Sequence, residues 1–291
     1  MGPAELQKAL GGAVAVASEL AQADGAAAAA ASSAGAPATA GVVRHHLVAG
    51  PLAAGLFAHL AADPPSTVVI IGPDHRNAGP GVGTSYASWQ TAFGAVEADI
   101  PLVAALLEQG LAREDRAAQD GEHSVGALMP FVARFLPGTK VVALTARRDV
   151  TQEEARTLGR FLGERAASGS EAAGPSGGGR GLFVVASVDF SHYLPKAEAD
   201  LRDAATLSSL GTLDWAALFG MGPSNLDSPA SLAAAASFAA GEEASGSEGA
   251  ASQDVVFQVI QHTNSAELLG QPDLPETTSH FLLLVREKTG R

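Results

Sequence analysis

Short runs of β-branched and aliphatic residues recur along the chain. Each ends in a polar loop and is followed by a stretch whose apolar positions have helical spacing. The runs cover residues 41–43, 67–72, 140–144, 182–187, 255–260 and 281–285. Their apolarity is continuous rather than alternating, which marks strands covered on both faces. Between them, 51–61, 101–111, 123–135, 152–168, 197–209 and 229–239 read as helices. Strand and helix in alternation predict one α/β domain, a three-layer α/β/α sandwich around a largely parallel, mixed sheet. Residues 68–71 and 182–186 are expected as neighbouring central strands, because both are continuously apolar and both lead into His-bearing loops. The segment 85–97 alternates and reads as a hairpin or edge strand. Pro130 either kinks helix 123–135 or marks its true start.

Three stretches fall outside this pattern. Residues 1–40 are rich in Ala, Gly and Ser and read as a flexible leader, with a helix conceivable over 4–22, leaving 41–291 as the folded domain. Residues 168–180 and 241–253 read as solvated loops. The early run GGAVAVASEL is broken by Glu19 and makes a poor secretory signal, and nothing approaches the ~18 apolar residues of a membrane span. A cytoplasmic location is therefore expected, with no membrane partner. Acidic residues outnumber basic ones 31 to 18, for a net charge of −13, so no nucleic-acid partner is expected. The absence of cysteine removes disulfides, thiolate catalysis and every Cys-ligated metal site, which leaves His, Asp and Glu as ligands.

Those residues gather at the ends of the strand-like runs, where an open α/β sheet binds its ligands. Arg44-His45-His46 follows the first run, and Asp74-His75 follows the second. Asp120-Gly121-Glu122-His123-Ser124 precedes a helix, Asp189-Phe190-Ser191-His192 follows the fourth run, and His262 opens HTNSAE. One histidine at a strand end is commonplace, but several at successive strand ends point to a shared cleft. His45, His75, His123 and His192 are expected to converge there, on the order of 10 Å across. His46, adjacent to His45 on an extended chain, is expected to point elsewhere. Asp189 and His192, three residues apart, could serve one cavity as an oriented acid/base pair. His59 and His280 are assigned no function.

The ordered set VVRHHLVAGPLAAGLF, VVIIGPDH, DGEHSVGALMPFV, VASVDFSHY and HTNSAELLG resembles the Memo family, whose bacterial members are named AmmeMemoRadiSam system protein B. The resemblance covers about residues 41–286. Such proteins are similar to class III extradiol dioxygenases, which hold a non-heme iron on two His and one acidic residue. The resemblance implies metal ligation by His45 and His75, with Arg44 where the family usually has Pro. It places the family's Glu-His-Ser helix start on Glu122, His123 and Ser124, and an acid/base histidine on His192 beside Asp189. The third ligand, a Cys in animal members, falls on Leu268 in an ungapped alignment. Glu267 beside it would complete a two-His, one-carboxylate set suited to iron(II), with copper or zinc as alternatives.

Three functions remain open on the residues alone. One is a mononuclear, iron-dependent redox enzyme of unknown substrate, with His192 and Asp189 moving a proton and His123 polarising a bound oxygen. Another is a hydrolase using the same ligands. The third is a non-catalytic protein that binds a small molecule or peptide in the cleft. The resemblance also implies functional association with AmmeMemoRadiSam-system partner proteins.

Overall fold

Thr67, Val68, Val69, Ile70 and Ile71 place β-branched side chains on both faces of an extended segment, and every one of them is buried. Val69 and Ile71 enter one apolar core and Val68 and Ile70 the other. The same alternation divides Val184 and Ala186 from Phe183 and Val185. A sheet with two apolar faces needs a helical layer on each side, and this chain supplies both. Each fully buried aliphatic side chain contributes about 1.5–3 kcal/mol.

A computed structural model describes residues 3–29, 37–173, 181–241 and 255–288. The first third comprises α1 (Pro3–Ala29), β1 (Ala40–Val43), α2 (Gly50–Leu60), β2 (Thr67–Pro73), β3 (Val82–Thr84), β4 (Trp89–Thr91) and β5 (Gly94–Val96). The middle adds α3 (Ile100–Glu108), β6 (Arg113–Glu114), α4 (Arg116–Asp120), α5 (His123–Gly126), α6 (Met129–Phe135), β7 (Lys140–Ala146) and α7 (Gln152–Ala173). Then come β8 (Leu182–Ser187), β9 (His192–Leu194), α8 (Lys196–Thr212), α9 (Trp215–Gly220) and α10 (Pro229–Ala239). The chain closes with β10 (Val255–Asn264), α11 (Ser265–Leu269) and β11 (Thr277–Glu287).

The main sheet runs β10-β11-β1-β8-β2-β7-β3-β6, with β9 beside β11. Its centre is parallel, β1 with β8, β8 with β2 and β2 with β7, while β11 and β3 pair antiparallel with β1 and β7. Val68 lies opposite Phe183 and Ile71 opposite Ala186, so the two runs expected as neighbours are neighbours. The segment 85–97 contains the β4–β5 hairpin. Pro130 is not a kink: the predicted helix is two, and Pro130 sits in the first turn of α6, where its missing N–H costs nothing. No helix among the described residues is long and apolar enough to cross a membrane.

The N-terminal expectation is corrected. Ala9, Ala13, Val16 and Leu20 of α1 are buried in the same core as α2, so residues 3–29 belong to the folded body. Small residues allow what their composition seemed to forbid. A Cβ on Gly12 would lie 2.7 Å from Pro51, one on Gly50 2.7 Å from Ala9, and one on Gly55 would overlap Val16. The two helices pack backbone to backbone and gain by close contact rather than by large side chains. Residues 30–36 and 242–254 lie outside the described residues, and with them almost all of the loop expected at 241–253. The loop expected at 168–180 starts as helix, since α7 continues to Ala173, and 174–180 are again outside.

Asp24 ties α1 down, with His59 Nε2 at 2.7 Å and the buried Arg286 at 3.1 Å. Burial alone would raise the Asp24 pKa, but the His59 hydrogen bond and the Arg286 charge outweigh it and leave it lowered. This contribution to stability is present above the unfolded value near 3.8 and is lost as pH falls through the folded value. Asp24→Ala strands a buried guanidinium and should cost ~2 kcal/mol, less than for a fully enclosed pair. Thermal melts, with hydrogen exchange in α1, measure both the cost and its location. An unchanged melting temperature would show that Arg286 needs no partner.

Candidate metal centre

Because β1, β8 and β2 are parallel and in register, their carboxyl ends deliver His45, Asp189 and His75 to one edge of the sheet. A fourth segment arrives through a close approach. Gly72 has no Cβ, which lets Ser124 of α5 pack directly on β2, where a Cβ would stand 2.7 Å from its Oγ. Ser124 Oγ donates to the Pro73 carbonyl at 2.7 Å, and His123 is thereby fixed beside His75. The imidazoles of His75 and His123 stack at 4.3 Å, and each meets the His45 ring edge-on at about 5 Å. One donor atom from each of these three histidines lies within 4.8 Å of the others.

The protons on these rings are set by their partners. Ser187 Oγ gives its hydrogen to the Ser124 carbonyl at 2.5 Å, so at 3.2 Å it accepts from His45 Nδ1–H. His45 Nε2 then carries a lone pair, in a ring that is only 2% exposed. Burial, reinforced by the neighbouring His75, His123 and Arg44, pushes the His45 pKa down to about 3 against the pull of Asp189. His75 Nδ1–H donates to Glu122 Oε1 at 2.8 Å, and the other Glu122 oxygen accepts the His75 backbone N–H at 2.9 Å. Burial would raise the Glu122 pKa, yet hydrogen bonds from His123, His75 and the Ser124 N–H hold it far below the usual carboxylate range. The same Glu122 contact raises the His123 pKa.

Two carboxylates complete the wall. Asp189 Oδ2 is 3.6 Å from His45 Nε2 and 3.1 Å from Arg44. Asp227 Oδ2 lies 3.8 Å from His45 Nε2 and 3.9 Å from His75 Nε2. The loops bearing them are locked together, Asp189 N–H donating to Asp227 Oδ1 and Asp227 N–H to the Asp189 carbonyl. Arg148 fastens the Asp227 loop by donating to the carbonyls of Met221, Leu226 and Asp227. Asp227 is desolvated and faces Asp189, so its pKa is raised well above normal. Asp189 is lowered: His45 and Arg44 overcome the effect of burial. His45 Nε2 and Asp227 Oδ2 are both buried without a hydrogen-bond partner among the described residues.

Of these residues His45, Glu122 and His123 line a cleft of about 520 Å³, together with His46, Val48, Trp89 and Pro130. A second cavity of about 420 Å³, between Gly81, Arg113 and Thr157, holds none of the donor groups.

The structure thus brings His45, His75 and His123 together with Asp189, and adds Asp227. It corrects three expectations. Glu267 is not with them: its half-exposed carboxylate pairs with Lys196 at 3.1 Å and accepts from Thr263 at 2.9 Å, and it belongs to neither donor group. His192 is steered not by Asp189 but by the Phe190 carbonyl, 2.7 Å from its Nδ1, and lies in neither group. His46 is exposed yet lines the same cleft as His45. Asp227 escaped the sequence reading because Asp-Ser-Pro looks like a helix start, and Ser228 does cap α10.

The family profile described as Memo-like protein matches residues 40–231. A MEMO1 family protein of Methanothermobacter thermautotrophicus is 30% identical over 187 residues, 62% of this chain and 64% of that protein. One from Pyrobaculum aerophilum is 32% identical over 187 residues, 62% of this chain and 63% of its own. The match thus spans just under two thirds of the length of these relatives. The crystal structure of an uncharacterized protein from Escherichia coli K12 superposes with a TM-score of 0.49 at 14% identity, over 83% of this chain and 98% of that one. With its profile matched from the first strand to the start of α10, this chain belongs to the Memo-like protein family.

Proposed function

We propose that the cleft is a mononuclear metal centre working with iron(II) in an oxygen-dependent redox reaction, with His45, His75 and Asp227 as its ligands. One observation carries this reading. A neutral imidazole lone pair on His45 faces carboxyl oxygens at 3.6 and 3.8 Å in a buried pocket, an arrangement that repels itself unless a proton or a cation lies between, and a single cation satisfies all of these atoms at once. Bond lengths of about 2.1 Å would put neighbouring ligand atoms about 3.0–3.4 Å apart, so the 3.8 and 3.9 Å separations of Asp227 from His45 and His75 would close by about 0.4–0.9 Å. The outer contacts also suit such a site, since Ser187 and Glu122 engage the Nδ1 atoms and turn lone pairs inward.

Iron(II), when bound, supplies redox chemistry and an oxygen-binding position; zinc would supply Lewis acidity for hydrolysis. The protein's own part is to orient and to move protons. Ser187 and Glu122 fix the rings of His45 and His75. His123, more than half exposed, presents a polar group to the cleft. His192 gives its Nδ1–H to the Phe190 carbonyl, which leaves Nε2 as a base. Val48, Trp89 and Pro130 favour a ligand with an apolar part, and that wall also supports a second reading, a cleft that binds a small molecule or peptide without turning it over.

Anaerobic reconstitution with iron, copper and zinc in parallel, then metal analysis after desalting, tests this. Wild type and Glu267→Ala should retain a single iron per chain, and Asp227→Asn should lose most of it. Equal metal in wild type and Asp227→Asn would remove Asp227 from the ligand set. A wild type that holds none of the three metals leaves only the binding reading.

A further inference from the structure

Arg44 is a buried guanidinium, with 1% of its surface exposed, and it stands one residue before His45. Its partners are fixed. One terminal nitrogen donates to Asp189 Oδ2 at 3.1 Å. The other donates at 3.1 Å to His280 Nε2, which must therefore be unprotonated, because a guanidinium cannot accept. Ser265 Oγ also reaches His280 Nε2 at 3.1 Å. Among the described residues Arg44 thus touches one anion, Asp189, with the charge of Asp227 acting from farther off, and these are the two carboxylates in reach of His45. The Asp189 oxygen facing His45 is the one Arg44 already holds, whereas the Asp227 oxygen facing His45 and His75 holds nothing.

We propose that Arg44 is an internal counter-cation that sets how tightly the centre binds its metal. It keeps Asp189 out of the ligand set, leaves Asp227 as the carboxylate a metal takes, and places a permanent positive charge beside the ion. The inference rests on the metal reading above. Its consequence runs against the usual direction of mutation, because removing a buried group next to the site strengthens binding. With Arg44 gone, the repulsion between guanidinium and metal disappears and Asp189 becomes free to ligate or to neutralise.

Competition titrations of Co²⁺ and Zn²⁺ against a chromophoric chelator read this directly, without any assay of turnover. Arg44→Met should bind both ions roughly ten- to a hundredfold more tightly than wild type, the range typical of changes to groups behind a ligand. Arg44→Lys, which keeps the charge, should stay within roughly threefold of wild type. Asp189→Asn leaves the guanidinium uncompensated and should bind about tenfold more weakly. Arg44→Met with Asp189→Asn removes both charges and should return close to wild type. That pair also serves if Arg44→Met alone does not fold, since losing a whole buried ion pair is better tolerated than losing half of one. Folded Arg44→Met that binds no more tightly than wild type, or a double variant no tighter than Asp189→Asn, overturns the inference. Wild type binding neither ion, with Asp227→Asn equally silent, would bring down the metal reading itself.

Discussion

Glu122→Gln, an exchange of nearly equal shape, is expected to disable the site. Glu122 Oε1 accepts from His75 Nδ1 and from the Ser124 N–H, both at 2.8 Å, and stands 3.3 Å from His123 Nδ1. Oε2 accepts from the His75 backbone N–H at 2.9 Å. An amide can keep the first group of contacts only by turning its NH2 toward that backbone N–H, donor against donor. The opposite flip sets the NH2 against three N–H donors. Either way a buried donor is left unpaired, at a cost of about 2–3 kcal/mol. The functional loss should be larger. Glu122 fixes which nitrogen of His75 carries the proton, so the variant should bind a divalent ion roughly ten- to a hundredfold more weakly. Thermal melts of the metal-free protein and chelator titrations separate the two effects. Unchanged metal affinity would mean that His75 does not depend on Glu122 for its orientation.

How far the sequence foretells this architecture depends on the kind of signal. The central strands are legible because a strand buried on both faces has no polar position to spare, and 68–71 and 182–186 show this without ambiguity. The histidine cluster is legible for a topological reason: parallel strands in register end together, so the loops that leave Val43 and Pro73 must meet. Direction within a loop is not legible. Glu267 lies in the short helix α11, where a carboxylate could ligate, but Lys196 at the start of α8 captures it, and nothing local to HTNSAE announces that partner. His192 fails as Asp189's partner for a similar reason, since the buried Arg44 claims the carboxylate. Asp227 was hidden by a sufficient local explanation, the start of α10. α1 misled through composition, because Ala and Gly carry little apolar area, yet they allow the close helix contact at Gly12, Gly50 and Gly55.

The dependence of the site on one missing side chain leads to the other large effect, Gly72→Val. A Cβ at Gly72 would lie 2.7 Å from Ser124 Oγ, 2.8 Å from its Cβ and 3.3 Å from its backbone carbonyl carbon. Ser124 cannot simply yield. Its hydroxyl is bonded to the Pro73 carbonyl, its N–H to Glu122 and its carbonyl to Ser187. Moving it breaks the contacts that orient His45 through Ser187 and His75 through Glu122. Valine adds two further methyl groups to that contact, and the expected loss is ~3 kcal/mol or more, at the upper end for overpacked interiors. Gly72→Ala should show the same effect in milder form, and Ser124→Gly in that background should recover part of the lost stability, because the nearest colliding atoms belong to the Ser124 side chain. Metal affinity should fall along with melting temperature across the series, since one displacement causes both. A Gly72→Ala protein that melts and binds as wild type would show that α5 is free to move away from β2, and that the histidine cluster does not depend on this contact.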